Sequence, residues 1–579
     1  MNLIEALEIL KRDVPRDAQP IRAFLACGFT PLHLQTFLAA HLRERLPQQR
    51  IEVKTGLFGD LAGNIERLEG SSCDLVAVVI EWQDLDPRLG IRNSGGWRPA
   101  DLPDIVNSAK RAVARLEAAL RRAAASTPTY VCMPTLTFPP LFTAATQQAS
   151  RYELQVRQQV ASLAESISNE SGIRVLSAQR LDELSPQHAR LDVRSELMAG
   201  FPYKLPHTSA MAGQLATLIQ SPTPKKGLIT DLDDTLWAGI LGEVGIEGVS
   251  WNLDQHTHMH GLYQQFLDSL GGAGALIAVA SKNDPALVAQ AFERKDLRIS
   301  KENVYPVEVH WDRKSESARR ILKTWNIGPE AVVFIDDSPM EVAEVKAAFP
   351  EMECIVFPKN DYQAIWDLLK RLRDLFGKSV TSEEDAIRLK SIRGAGALQE
   401  SIEVGGGSLD GFLQGAEAFI QFTLVKQAGD GRALELINKT TQFNLNGKRL
   451  HESAWINYLK DPAAFLLTAT YNDKYGSLGK IAVIMGRVEG RKLAVDTWVM
   501  SCRAFSRRIE HHCLKYLFEK LSADEIVFDY QATDRNGPLQ EFFAQLLGVP
   551  PGIGLRLSRN CFFERAPLLF HQVEEVGCG

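Results

Sequence analysis

The sequence predicts a multidomain α/β protein, and three observations carry that reading. The chain has 579 residues, and at ~100–200 residues per domain this implies three or four domains. Short apolar runs alternate with helical stretches through the first two-thirds of the chain, the pattern of parallel strands covered on both faces. The proline-rich, basic segment Ser221-Pro-Thr-Pro-Lys-Lys-Gly227 interrupts that alternation and reads as a linker.

Before the linker, Ile21–Leu25, Leu75–Ile80, Tyr130–Met133 and Ile173–Leu176 predict strands, and Ile105–Ala123 predicts a helix. Residues 1–222 are therefore read as one parallel-sheet domain. A second alternating block, 226–378, has strands at Gly227–Thr230, Leu276–Ala280 and Ala331–Ile335. After it the texture turns β-rich, with runs at Ala464–Thr470, Lys480–Met485 and Lys492–Met500 and then a helix from about Arg508 to Lys520. Residues 379–579 are read as an α+β domain, with Gly405-Gly406-Gly407 as a flexible tip inside it.

Composition narrows the partners. Apolar residues make up 45% and charged residues 23%, and 65 basic against 71 acidic side chains leave a net charge of −6. That balance gives no general attraction to nucleic acid or to a membrane surface, so neither is an expected partner. Eight scattered cysteines show neither a disulfide framework nor zinc-knuckle spacing, and they suit a reducing compartment. No apolar run reaches ~18 residues, and the start Met1-Asn-Leu-Ile-Glu lacks the features of a signal peptide. A cytoplasmic location is the expectation.

The most informative stretch is Leu228-Ile-Thr-Asp231-Leu-Asp233-Asp234-Thr-Leu-Trp237. An apolar strand delivers Asp231 and Asp233 at its C-terminal end, where open α/β sheets bind ligands. Hard carboxylate oxygens suit Mg²⁺; one carboxylate can attack phosphorus while the other moves a proton. A second strand end carries Ser281-Lys282-Asn283, with a hydroxyl and amides for phosphate oxygens. Lys314 supplies a cation, and a third strand ends in Asp336-Asp337. Lys282 and Asn283 either touch substrate or are solvated loop residues.

This ordered set resembles the haloacid dehalogenase (HAD) superfamily, whose members form an aspartyl-phosphate intermediate. The resemblance makes Asp231 the nucleophile and Asp233 the general acid/base, which also ligates Mg²⁺ through its backbone carbonyl. It makes Ser281 and Lys314 phosphate ligands, and it gives the metal site to Asp231, Asp233, Asp336 and Asp337. Fifty residues separate Asp231 from Ser281, and 33 separate Ser281 from Lys314. Neither gap holds a large cap domain, so a minimally capped, Rossmann-like domain open to large or tethered substrates is expected.

Farther on, a strand leads into Ser501-Cys502-Arg503 and then a helix. A cysteine before a helix N-terminus and among Arg503, Arg507 and Arg508 favours the thiolate. Cys502 is either a nucleophile or a buried structural cysteine; Cys513 reads as core. His511 and His512 read as surface helix residues, with a base role as the alternative. The layout resembles a GNAT-type acyltransferase, but its glycine-rich pyrophosphate loop is replaced here by Arg503-Ala-Phe-Ser506-Arg507-Arg508. Binding of a carrier protein's pantetheine arm, rather than coenzyme A, remains open on this reading.

Together, Asp231-Leu-Asp-Asp-Thr-Leu-Trp, Phe334-Ile-Asp-Asp-Ser-Pro-Met-Glu341, Asn438-Lys-Thr-Thr-Gln-Phe-Asn-Leu445 and Ser501-Cys-Arg-Ala-Phe-Ser-Arg507 resemble the FkbH-like family over most of 226–545. The resemblance implies that a phosphorylated glycerate donor, D-1,3-bisphosphoglycerate, is dephosphorylated with Mg²⁺. The glyceryl unit then reaches an acyl carrier protein through a thioester on Cys502, in polyketide-type biosynthesis. It places Lys439, Thr441, Gln442, Asn444 and Arg503 at the acyl-transfer site; a polar turn is the other reading of 439–444. Thr533, Arg535 and Asn536 resemble a later motif. Position 234 departs from the family, with Asp where Asn is common.

Residues 1–222 resemble an SGNH-hydrolase-like domain. Where a Gly-Asp-Ser nucleophile segment is expected, Gly28-Phe29-Thr30 stands, and His207 falls near the catalytic histidine's place. An inactive domain that docks a partner is the expectation. Two further readings of the whole chain compete with carrier loading: a plain HAD phosphatase of a small phosphoester, and a non-catalytic scaffold that binds carrier proteins.

Overall fold

The computed structural model describes all residues except 16, 17, 19, 69–72, 95–97, 141–146, 379–388, 390, 391, 394–408, 427–429, 475, 502, 503, 506 and 577–579. The expected tip at 405–407 and the site residues Cys502 and Arg503 lie outside the described residues. The chain is a mixed α/β protein and forms two compact units: Met1–Pro222 with His451–Ile456, and Thr223–Leu450 with Asn457–Gly579.

In the first unit, β1 (Pro20–Cys27), β2 (Arg50–Thr55), β3 (Leu75–Val79), β4 (Thr129–Cys132) and β5 (Ile173–Val175) form a parallel sheet in the order β2-β1-β3-β4-β5. Residues 76–79 of β3 are wholly buried, the mark of a strand covered on both faces. β2 escapes the sequence pattern because it is an edge strand: Arg50 and Lys54 are exposed and break its apolar run.

In the second unit, β6 (Gly227–Thr230), β7 (Leu276–Ser281), β8 (Val304–Val309), β9 (Val332–Asp336) and β10 (Glu353–Val356) form another parallel sheet, ordered β10-β9-β6-β7-β8. Thr230 is in register with both Ile335 and Val279. This register brings the ends of β6, β7 and β9 together. Leu228 and Val333 pack into one apolar layer and Ile229 and Phe334 into the other. Only a short helix (Pro285–Ala291), one turn (Lys301–Asn303) and β8 stand between Ser281 and Lys314, so that interval adds no cap.

The same unit holds a seven-stranded mixed sheet of β11 (Phe419–Thr423), β12 (Ala464–Asp473), β13 (Gly476–Glu489), β14 (Lys492–Met500), β15 (Glu525–Phe528), β16 (Arg556–Ser558) and β17 (Gln572–Val576), ordered β16-β15-β14-β13-β12-β11-β17. β14 pairs with β15 only over Lys492–Val495. Beyond that point residues 443–445 take over the edge of β14. Leu445 N donates to Trp498 O at 2.9 Å, and Met500 N donates to Phe443 O at 3.0 Å. Phe443 is 2% and Leu445 0% exposed, so the chain itself fills the gap between the two strands. No described helix is long and apolar enough to cross a membrane.

Candidate active site

Strand ends build the site. Asp231 follows the last residue of β6, Ser281 closes β7 and Asp336 closes β9. Lys314 opens the helix Lys314–Trp325 and is 1% exposed. Its ammonium lies 2.6 Å from Asp231 Oδ1, 2.9 Å from Asp336 Oδ2 and 3.3 Å from Glu341 Oε2, and it donates to Ala280 O at 2.7 Å. An ammonium so enclosed keeps its proton: against the pull of burial, Asp231 and Asp336 raise its pKa. The Ser281 hydroxyl hydrogen-bonds Asp231.

Asp233 is held differently. Trp237 Nε1 and Leu241 N donate to its Oδ1 at 2.9 and 3.1 Å, and Asn283 Nδ2 donates to its Oδ2 at 2.9 Å. Asn283 is 3% exposed, so it positions Asp233 and is not a solvated loop residue. Burial raises the Asp233 pKa, and the charges of Asp231 and Asp234 add to the rise. A carboxyl held by these donors is placed to give and take a proton at the reacting phosphate.

Burial also raises Asp231 and Asp336; Lys314 pulls both back. Lys282 is partly exposed and pairs with Glu341 Oε1 at 2.8 Å. Lys359 bridges Asp234 Oδ2 at 2.7 Å and Asp337 Oδ2 at 2.8 Å. Asp234 sits at φ +51°, a left-handed conformation that Asp and Asn tolerate best among residues with side chains. Its Oδ1 accepts from Gly239 N at 2.8 Å. The extra charge that Asp brings to this position is matched by Lys359.

Sequence reasoning missed Glu341 and Lys359. Glu341 stands five residues after Asp336, in the first turn of the helix Pro339–Ala348. One oxygen from each of Asp231, Asp336 and Glu341 falls within 4.8 Å of the others. Asp337, expected among the metal ligands, is instead engaged by Lys359. Six carboxylates (residues 231, 233, 234, 336, 337 and 341) face three ammoniums (282, 314 and 359), a deficit of three positive charges. Hard oxygen donors with excess negative charge fit a Mg²⁺ ion, which would be held by Asp231, Asp336 and their neighbours.

In the mixed-sheet region, Lys439 pairs with Glu435 at 2.6 Å, and Thr441, Gln442 and Ser501 line a common cavity. Asn444, expected beside that site, is a correction: it is 1% exposed and belongs to a turn. Its Oδ1 accepts from Asn446 N and Gly447 N, and its Nδ2 donates to Thr440 O. Asn536 is likewise buried and donates to Asn444 O at 3.0 Å, while Arg535 pairs with Glu351 at 2.8 Å. Cys513 is fully buried, as expected of core.

His511 and His512 are not surface residues. Burial lowers His511 to about 4 and His512 to about 3, and His512 Nδ1 lies 3.1 Å from His571 Nδ1. Beside them, Glu510 keeps a buried Oε2 without a hydrogen-bond partner among the described residues, and burial raises its pKa from 4.5 to about 7. A carboxyl whose folded pKa is raised favours the fold below pH 4.5, and that contribution is lost as pH rises through about 7. Glu510→Gln is therefore expected to stabilise the protein at pH 8, on the order of 1–3 kcal/mol, and to change little at pH 4.5. Denaturant unfolding at both pH values checks this; equal effects at the two would contradict it.

In the first unit, the Thr30 hydroxyl donates to Ala199 O at 2.8 Å. Both His207 ring nitrogens are engaged, Nδ1 with Ser185 Oγ at 2.9 Å and Nε2 with Thr135 Oγ1 at 3.0 Å. Burial lowers His207 to about 3. Thr30 and His207 thus each hold other partners. At Gly28 a side chain has no room, because its Cβ would fall 1.7 Å from Asp84 Oδ1.

No family model matches the sequence, and no curated protein matches it. Solved structures do. The N-terminal part of protein BF1531 from Bacteroides fragilis, described as containing a phosphatase domain complexed with Mg, is 19% identical with a TM-score of 0.51; the match covers 66% of this chain and 100% of that one. This likeness shows the fold. A phospholipase A1 from Streptomyces albidoflavus, 15% identical, matches 35% of this chain and 100% of its own with a TM-score of 0.25. An extracellular lipase from Streptomyces rimosus, 13% identical, matches the same shares with a TM-score of 0.26.

Proposed function

We propose that this chain is a Mg²⁺-dependent phosphatase that uses Asp231 as nucleophile and couples that chemistry to loading an acyl carrier protein with a glyceryl unit. The donor on this reading is D-1,3-bisphosphoglycerate or a similar phosphorylated acyl compound. The observation that carries the first half is the buried Lys314 joining Asp231 and Asp336, at two strand ends, to Glu341 in the first turn of the helix that follows. A bound Mg²⁺ would neutralise phosphate charge there. Asp231 attacks phosphorus and the ester bond breaks; Asp233, oriented by Trp237 and Asn283, protonates the leaving oxygen. Asp233 then takes a proton from the water that cleaves the aspartyl-phosphate.

The second half rests on residue chemistry at the Gln442–Ser501 cavity and on Cys502, the next residue in the chain. Its thiolate would attack the acyl carbonyl with loss of phosphate, and the carrier thiol would then take the acyl group. A plain phosphatase is the second reading. It is favoured by the engagement of Asn444 in a turn and by residues 443–445 filling the edge of β14, where an extended arm would otherwise pair. A scaffold without chemistry leaves the buried acid–lysine cluster unexplained.

Mass spectrometry of a phosphopantetheinylated carrier protein separates these readings, with donor and Mg²⁺ present and Cys502→Ala beside the unmodified enzyme. Gain of a glyceryl unit that vanishes in the variant is the expected result. Equal phosphate release by both proteins, with an unmodified carrier, would leave the plain phosphatase.

A further inference from the structure

Exposed apolar side chains flank the acid–lysine cluster. Ile240, Val244, Trp311 and Met340 are 42%, 49%, 74% and 79% exposed, and their segments carry groups of the site. Leu241, next to Ile240, donates its N–H to Asp233 Oδ1 at 3.1 Å, and Val244 N donates to Ile240 O at 3.0 Å. Trp311 stands three residues before Lys314, and Met340 directly precedes Glu341. Side-chain contacts join these segments around the site. Asn283 donates to the other oxygen of Asp233 at 2.9 Å, Lys282 beside it pairs with Glu341 at 2.8 Å, and Ser315 Oγ donates to Glu344 Oε1 at 2.6 Å. A single exposed apolar residue is ordinary, whereas four on three segments that meet at one site mark a recognition surface.

Charge points the same way. Lys282, Lys314 and Lys359 are each held by the site's own carboxylates, which outnumber them six to three. Glu243, Asp312 and Arg313, the exposed charges beside the apolar residues, add no positive excess. A divalent cation meets the charge of one phosphate, so a second anionic group on the substrate meets repulsion. Free phosphoglycerate carries such a group in its carboxylate, and the bisphosphorylated donor carries one in its second phosphate. A phosphoglyceryl group in thioester linkage carries neither, and the pantetheine arm that bears it offers methylenes, methyls and neutral amides to the apolar side chains.

We infer that the phosphate ester cleaved at Asp231 is a phosphoglyceryl thioester on the carrier protein's arm, held by Ile240, Val244, Trp311 and Met340, so that phosphate removal follows acyl loading. The inference takes the acyl group and the carrier from the carrier-loading reading above. The interval between Ser281 and Lys314 adds no cap, which leaves room for a tethered substrate. An oxygen of Asp231 bonds to phosphorus, the bond from phosphorus to the glyceryl oxygen breaks, and that oxygen takes the proton of Asp233. Water then bonds to phosphorus and gives a proton to Asp233; phosphate leaves, Asp231 is restored and the thioester is unchanged.

The test compares three phosphomonoesters with the full chain and Mg²⁺: D-3-phosphoglycerate, its pantetheine thioester, and the same thioester on a carrier protein. Phosphate release is followed, with p-nitrophenyl phosphate as a general phosphatase substrate. Both thioesters are expected to exceed the free acid in kcat/KM by about 10–100-fold. Trp311→Ala and Met340→Ala are each expected to raise KM for the thioesters, by about 10-fold for the tryptophan, with little change in kcat. Free phosphoglycerate cleaved as efficiently as the thioesters would overturn the inference and leave the phosphatase standing. So would variants that lower kcat/KM equally on all three substrates, or a carrier-borne thioester that is not cleaved. No phosphate from any substrate, p-nitrophenyl phosphate included, would overturn the phosphatase reading and the inference with it. Preference for the carrier-borne thioester, beside a failure to load the carrier from free donor, would remove carrier loading alone and uphold the inference.

Discussion

Asp231→Asn is expected to abolish phosphate release, with kcat falling on the order of 10⁴-fold or more, the scale on which loss of a nucleophile costs other covalent mechanisms. The substitution preserves shape and changes the chemistry. The side chain keeps its place after β6, where its amide N donates to Ile335 O at 2.9 Å and anchors the loop. An amide oxygen is a poor nucleophile, and it no longer balances the Lys314 charge. Folding should survive, because one buried negative charge is removed from a site that already holds three positive charges too few. Phosphate release measured under saturating Mg²⁺ checks this, with Asp233→Asn as a comparison. Retained activity in Asp231→Asn would contradict the assignment of the nucleophile.

The second large effect is expected at Lys314. Removing its ammonium leaves Asp231, Asp336 and Glu341 facing one another with their shared cation gone. Breaking a buried charge cluster in this way costs about 3–5 kcal/mol, so Lys314→Met should unfold at markedly lower denaturant in EDTA. Mg²⁺ should recover part of that loss, because a divalent cation meets the same carboxylates. The variant should also lose about 10²–10³-fold in kcat, the usual cost of losing one preorganised stabilising group. Lys359 is partly exposed and provides the contrast: Lys359→Met should cost no more than about 1 kcal/mol. Equal stability of Lys314→Met and the unmodified protein in EDTA would contradict the cluster's role.

The central strands were legible in the sequence because burial on both faces writes continuous apolar runs, as at Leu276–Ala280 and Ala331–Ile335. The edge strands β2, β8 and β10 were not, since exposure on one side lets charged residues such as Arg50, Glu308 and Glu353 into them. At the site, Asp231, Asp233, Ser281 and Asp336 were readable from their positions at or just past strand ends, which the register of β6 against β7 and β9 brings together, and Lys314 from its order in the motif set, at the start of a helix. Glu341 was hidden because it reaches the cluster from a helix, and Lys359 because it arrives from the loop after β10 with no motif around it. Polarity misled at Asn444 and at His511 and His512. A polar side chain reads as solvent-facing or functional, whereas these bury and serve a turn or a packed helix face. Spacing along the chain also does not reveal that Gln442 and Ser501 lie at the end of the sheet away from Asp231.

The most direct measurement of the aspartyl-phosphate mechanism is a trap of the phosphorylated protein. The enzyme is quenched in acid during turnover of a radiolabelled phosphate ester, and label bound to protein is counted before and after hydroxylamine treatment. The mechanism predicts hydroxylamine-labile label on the unmodified enzyme, more of it on Asp233→Asn because the hydrolytic step is slowed, and none on Asp231→Asn. Label that persists on Asp231→Asn, or rapid turnover with no bound label on either the unmodified enzyme or Asp233→Asn, would contradict it.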